Sequence, residues 1–289
     1  MTLIEKYELT LAGIVVLIAV LIFIPRSLFP KRVIEWSVIG IFIALIAWLA
    51  VVFGSLTLGG SSQTLSVTEL RPPAKGRETV VFLFGWNGDD DTWGQFPRLL
   101  LDDQRFQGYG VAKFSYRSRP GLEGKPVEAM ADDTAKLLSQ TYGSQPLFIL
   151  AHSMGGVLVR QIIAQKAPSL PIDIKRFIAV ASPFKGADIA TLMKELGMTP
   201  ATLADLSPGS PFLGALDRRW VEIARTSWQG LDVCVPGRLD RIASIASATH
   251  ECTWSVEPLE LGHVDIVKPT SAAHPAYVAI TRIISWHPQ

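Results

Sequence analysis

The sequence predicts an α/β domain, a mostly parallel sheet with helices on both faces and a helical cap insertion, preceded by an N-terminal hairpin of two transmembrane helices. Three observations carry this. Two uncharged apolar runs stand near the N-terminus, at 9–24 and 38–53. Beyond residue 60, short apolar runs rich in β-branched and aromatic residues alternate with amphipathic helical patterns, as parallel strands covered on both faces require. The fourth such run is followed by a long stretch, 184–228, with helical patterning and no strand.

The hairpin comes first. A hydrocarbon core of about 30 Å needs about 20 helical residues, so Tyr7, Trp36 and 55–58 extend the two runs to spans of about 8–25 and 36–56. Both runs are apolar on every face, unlike the one-sided helices of a soluble core. Glu5 and Glu8 offset Lys6, and no small-residue cleavage site precedes Pro25, which argues against a signal peptide. The connector "PRSLFPKR" holds Arg26, Lys31 and Arg32 without an acid. Positive charge favours the cytoplasmic side, so both termini are expected outside, with the later domain periplasmic or otherwise extracytoplasmic. The stretch "GSLTLGGSSQT" at 54–64 suits a leash, which sets the expected domains at 1–59 and 60–289.

With 27 basic and 26 acidic residues the net charge is +1, and no basic run stands out beyond the connector, so nothing points to nucleic acid. Cys234 and Cys252 are too few for a disulfide scaffold and lack metal-ligand spacing. In an exported domain they can pair; otherwise each is a small buried hydrophobe.

Strands are predicted at 79–84, 110–116, 146–150, 176–181, 231–235 and 252–259. Helices are predicted at 93–103, 126–142, 155–167 and 274–286. Asp89, Asp90 and Asp91 have no nearby histidine or fourth carboxylate, so they form a polar loop rather than a metal site, with Asp91 or Thr92 as N-cap. Ser210 and Pro211 supply the cap and first turn of a helix in the insertion.

The chemistry centres on "AHSMG" at 151–155, which departs from G-x-S-x-G only in Ala151. A nucleophile on a strained strand-to-helix turn needs small residues two before and two after it, and Gly155 keeps the second. An apolar strand precedes Ser153 and an amphipathic helix follows. On these residues the chain resembles the α/β-hydrolase superfamily, in its lipase and esterase branch, over most of 75–287. The α/β-hydrolase fold is therefore expected.

That resemblance implies partners in the order Ser, Asp or Glu, His. Asp240 follows the strand "LDVCV" in "PGRLDRIAS", which is similar to the superfamily's acid loop. Asp173, Asp188 and Asp205 come too early or lie in the insertion, and Asp232 lies within a strand. A solvated turn aspartate remains the alternative for Asp240. His152 adjoins the nucleophile and cannot turn back to activate it; elbow packing or pocket shaping suits it. His263 follows the last predicted strand in "LGHVDIVKP", which resembles a motif of serine-lipase-like hydrolases including the GPI-inositol deacylase group. His250 is the alternative base. Met154 supplies one oxyanion N–H by position. "FLFGWNG" is similar to the family's strand followed by His-Gly-x, with Phe84 where His is usual, and makes the Trp86 N–H the second donor.

The function expected is a membrane-tethered serine hydrolase that cleaves a carboxylic ester through an acyl-enzyme, with no cofactor and no metal. Tethering, with Leu192, Met193, Leu196, Phe212 and Leu213 in the insertion, makes a lipid or other hydrophobic acyl ester the expected substrate. A catalytically inactive scaffold at the membrane, or an acyltransferase or thioesterase using the same triad, are the alternatives.

Overall fold

A computed structural model of the protein describes residues 65–85, 91–116, 125–166, 170–188, 200–226, 228 and 230–286. All lie within the compact unit Ser61–Gln289. The two apolar runs expected to span a membrane lie outside the described residues. Among the described residues no helix is long and apolar enough to cross one.

Seven strands form one sheet: β1 (Leu65–Arg71), β2 (Thr79–Leu83), β3 (Gly110–Tyr116), β4 (Pro146–His152), β5 (Asp173–Val180), β6 (Leu231–Val235) and β7 (Trp254–Ser255). Their order is β1-β3-β2-β4-β5-β6-β7. β1 runs antiparallel to β3, and every other pairing is parallel. The helices are α1 (Phe96–Asp102), α2 (Val127–Tyr142), α3 (Met154–Lys166), α4 (Pro200–Leu206), α5 (Pro211–Thr226), α6 (Ile245–Ala248) and α7 (Pro275–Ser285).

The central strands form because both faces of the sheet are covered. All five residues of β2 are buried, and so are six of the seven of β4. Full burial of a Leu, Ile or Phe side chain is worth roughly 1.5–3 kcal/mol, so "LFIL" in β4 contributes heavily to the core. Both strands stop at the same end of the sheet, Leu83 pairing with Ala151. The chemistry-bearing loops leave from that end.

Three elements differ from the sequence expectation. β1 lies outside the predicted strands, because none of "LSVTELR" is fully buried and four of its seven residues are exposed, so it forms no apolar run. Its place is secured by Arg71, whose guanidinium donates to the carbonyls of Tyr109, Leu101 and Phe106. The strand expected over 252–259 shrinks to Trp254–Ser255. Beyond it Val256 and Leu259 still donate to Cys234 and Pro236, but as isolated bonds rather than a continuous ladder. Finally, α1 starts at Phe96, with Pro97 in its first turn and no side-chain cap, so neither Asp91 nor Thr92 caps it. Residues 91–95 form a turn that buries Trp93 edge-on against Phe82 and Phe96.

In the expected cap, α4 and α5 are described, whereas Leu192, Met193 and Leu196 lie outside the described residues. Ser210 Oγ accepts the Leu213 N–H at 3.1 Å and Pro211 opens α5, as the sequence indicated. Trp220 on α5 is buried and donates its indole N–H to the Glu251 carbonyl. Arg219 reaches Gln161 on α3, so the cap helix lies beside the helix that follows Ser153.

Candidate active site

Ser153 stands on the turn between β4 and α3 with φ of 54°, a left-handed conformation rare for a residue with a side chain. Its N–H donates to the Val180 carbonyl at the end of β5, and its carbonyl accepts from Gly156. Close packing around the turn explains the small residues. A Cβ on Gly155 would come within 2.8 Å of the Phe84 carbonyl, and one on Gly156 would strike Ser182. Ala151, where the motif has glycine, is fully buried between Leu83 and Ala179 on the flanking strands. A methyl group fits there.

His263 approaches Ser153 from the loop after β7, with Nε2 2.9 Å from Ser153 Oγ. Its Nδ1 is 2.8 Å from Asp240 Oδ2. A carboxylate only accepts, so the shared proton sits on Nδ1 and Nε2 is left to accept the serine hydroxyl. Asp240 has a fully buried side chain. Its other oxygen accepts the N–H groups of Ile242 and Ala243 at 2.7 and 2.9 Å. It is therefore not a solvated turn residue. The three residues that the chain order nominates are brought into one relay.

Such an arrangement can take a proton from a hydroxyl and return it to a leaving group, which is the chemistry of nucleophilic acyl transfer. An oxyanion site would have to lie against the Met154 N–H. Gly85 sits there: a Cβ on it would come 2.9 Å from Ser153 Cβ and 3.2 Å from Met154 N. The loop after β2 is thus pressed onto the serine turn. Trp86, the other expected donor, lies outside the described residues, as do Asp89 and Asp90.

His152 has a part the sequence did not specify. Its ring is buried, 4.8 Å from that of His263 between centroids, and Nε2 is 2.8 Å from the His263 carbonyl. Burial, followed by the proximity of His263, holds its pKa well below the ordinary histidine value. The ring is neutral and donates its Nε2–H to that carbonyl. The residue before the nucleophile thereby fastens the backbone of the base. A long-range backbone contact of this kind leaves no signal in sequence spacing.

The other candidates lie elsewhere. His250 is 2.9 Å from Asp217 on α5, beside a cavity of about 200 Å³ walled by Phe184, Leu213 and Gly214, and does not join the relay. His274 caps α7, accepting from Ala276. Asp232 is fully buried, accepts the Thr253 N–H, and has its pKa raised by burial. Arg160 on α3 is buried with its guanidinium over the rings of Phe184 and Trp220 and donates to the carbonyls of His250 and Glu251. Burial pulls it down to about 9 against the attraction of Asp232, so it stays charged at neutrality. Cys234 and Cys252 form a disulfide that closes the segment carrying Asp240.

Comparison with known proteins bears on the fold. The profile of the family described as serine aminopeptidase, S33, matches residues 106–223, the segment that carries Ser153. The dihydrolipoyllysine-residue acetyltransferase component of the acetoin cleaving system of Cupriavidus necator is 31% identical over 112 residues, 37% of this chain. The match spans only 27% of that protein's length. Among solved structures, the mature lipase BlEst2 of Bacillus licheniformis aligns with a TM-score of 0.58 at 14% identity, over 78% of this chain and 98% of that one. Phospholipase PlaB of Legionella pneumophila aligns with a TM-score of 0.58 at 17% identity, over 72% and 58%. The fold is the α/β-hydrolase fold. Solved structures that share it include a lipase, a phospholipase and a carboxylesterase.

Proposed function

We propose that the protein is a membrane-tethered serine hydrolase that cleaves a carboxylic ester, of a lipid or another hydrophobic acyl group, through an acyl-enzyme. The observation that carries this is the buried relay from Ser153 Oγ through His263 to Asp240, with contacts of 2.9 and 2.8 Å. His263 takes the Ser153 proton as Oγ attacks the ester carbonyl. The oxyanion is held by the N–H groups of Met154 and Trp86, each such donor being worth roughly 2.7–4 kcal/mol in the transition state. His263 then protonates the departing alcohol. Water, activated by the same imidazole, attacks the acyl-enzyme and releases the acid. A neutral His152 beside the base suits this cycle, because a second cation there would oppose formation of the imidazolium.

The domain is proposed to lie on the extracytoplasmic side, held by the hairpin at 1–59. The Cys234–Cys252 disulfide supports an oxidising compartment, and the basic connector Arg26, Lys31, Arg32 supports the same orientation.

Labelling with a fluorophosphonate tests the chemistry. The folded full-length protein is expected to label, and Ser153→Ala to lose the label. Absence of labelling in folded wild type would overturn the hydrolase proposal, and labelling that survives the substitution would overturn Ser153. A panel of acyl esters of graded chain length, with product analysis, separates hydrolysis from acyl transfer and identifies the acyl group.

A further inference from the structure

We propose that the rim of this site is a bilayer-contacting surface: Leu239 and Val264 enter the acyl layer of a lipid membrane, so that the ester presented to Ser153 is drawn from the bilayer itself. This builds on the hydrolase proposal and names the source of its substrate.

Leu239 is 60% exposed and Val264 47% exposed, among the most exposed large apolar side chains of the described residues. A single exposed leucine is ordinary. These two are not scattered. Leu239 immediately precedes Asp240, and Val264 immediately follows His263. Their loops run side by side, Leu239 donating to the Leu261 carbonyl and Arg238 to that of Leu259. Ile266 donates back to Gly262, so the apolar tips stand on a hydrogen-bonded base. Water is the worse solvent for both side chains, and the relay residues next to them are buried.

The path of the chain gives an independent pointer. β1 is antiparallel, and its first residue, Leu65, pairs with Tyr116 at the end of β3. Ser153 follows the end of β4, three places along the sheet from β1. At 4.8 Å per strand, Leu65 lies roughly 14 Å from β4 across the sheet and at the same end. The backbone that follows the Gly- and Ser-rich stretch 54–64 therefore reaches the domain at the end that carries the site.

Charge at the rim is mixed. Arg238 pairs with Glu260, and exposed Arg241 and Lys268 are partly offset by exposed Asp265. Attraction to the membrane is thus apolar, and it should persist at high salt. The other exposed apolar pair lies further down the sheet from the strand ends that carry the site. Exposed Trp254 pairs with Val233 in the middle of β6, its ring 6.2 Å from that of exposed Trp286. Arg176, midway along β5, donates to the Trp286 carbonyl.

The test uses the full-length protein in phosphatidylcholine nanodiscs. A polarity-sensitive fluorophore is attached at Leu239→Cys, Val264→Cys or Trp254→Cys, the native cysteines being held in their disulfide. Lipids brominated in the acyl chain are expected to quench the label at 239 and 264, equally at low and high salt, and not at 254. Quenching at 254 alone, or at none of the three, overturns the proposal. In a second arm, Leu239→Ser combined with Val264→Ser is expected to lose about tenfold in rate on a long-chain ester embedded in the disc. Its rate on water-soluble p-nitrophenyl acetate should hold; equal losses on both esters overturn the proposal. If wild type cleaves neither ester, the hydrolase proposal fails, while the quenching pattern still decides which apolar pair meets the lipid.

Discussion

Replacing Asp240 by asparagine should nearly abolish catalysis while leaving the fold standing, for a reason written in its hydrogen bonds. The Asp240 carboxylate accepts from three donors: Ile242 N–H and Ala243 N–H on Oδ1 and His263 Nδ1–H on Oδ2. An asparagine keeps its one carbonyl oxygen on the two backbone donors, which turns its NH2 toward His263 Nδ1. Two donors cannot face each other, so the imidazole must move its proton to Nε2. Nε2 then donates to Ser153 Oγ instead of accepting from it, and the nucleophile has no base. In a serine triad this exchange costs about ten-thousandfold in kcat, or about 5.5 kcal/mol of transition-state stabilisation. The loss in stability should be far smaller, roughly 1.5–3 kcal/mol for one charge-assisted bond. Initial rates on a short ester and the rate of fluorophosphonate labelling measure the first effect, and denaturant unfolding the second. An Asp240→Asn protein that unfolds normally and retains more than about a tenth of wild-type kcat would refute the assigned role of Asp240.

Two further outcomes follow from groups around the relay. His152 is held neutral with its pKa well below the ordinary value. The unfolded chain takes up this proton first as pH falls, so the contribution of His152 is complete above about pH 6.5 and declines below it, by at most about 1.4 kcal/mol per pH unit. His152→Phe should flatten that part of the stability curve and leave the His263 carbonyl without its donor, at a cost of about 1–3 kcal/mol at neutral pH. Denaturant unfolding from pH 5 to 7.5 checks both, and an unchanged slope would count against the assignment. The disulfide joins residues 18 apart, for which loop-closure entropy gives about 3 kcal/mol. Because the closed segment carries Asp240, dithiothreitol or Cys234→Ser with Cys252→Ser should lower Tm and ester turnover together; a Tm unmoved by either would contradict the bond.

Much of this was legible beforehand. "TVVFLF", "GVAKFSY", "PLFIL" and "LDVCV" reach the sheet where the apolar runs put them, because strands covered on both faces must be apolar throughout. β1 escaped notice for the converse reason: an antiparallel edge strand half in water reads as a polar segment. The strand expected at 252–259 kept only two residues, since an apolar segment can run beside its neighbour and make scattered bonds without a regular ladder.

The site divides in the same way. Local covalent order is enough to mark Ser153, because strand, sharp turn, small residues and helix are all adjacent in the chain. Chain order then nominates Asp240 and His263. Sequence alone left a solvated aspartate and His250 as live alternatives, and it left the cysteines undecided. Only the tertiary structure separates these. It buries the Asp240 carboxylate on two backbone N–H groups and turns His250 to Asp217. It also joins Cys234 to Cys252 and fastens His152 to the backbone of His263. Each of these is a contact between residues far apart in the chain. Composition and spacing encode what neighbours do to one another, whereas the meeting of distant groups depends on how the whole sheet brings its loop ends together.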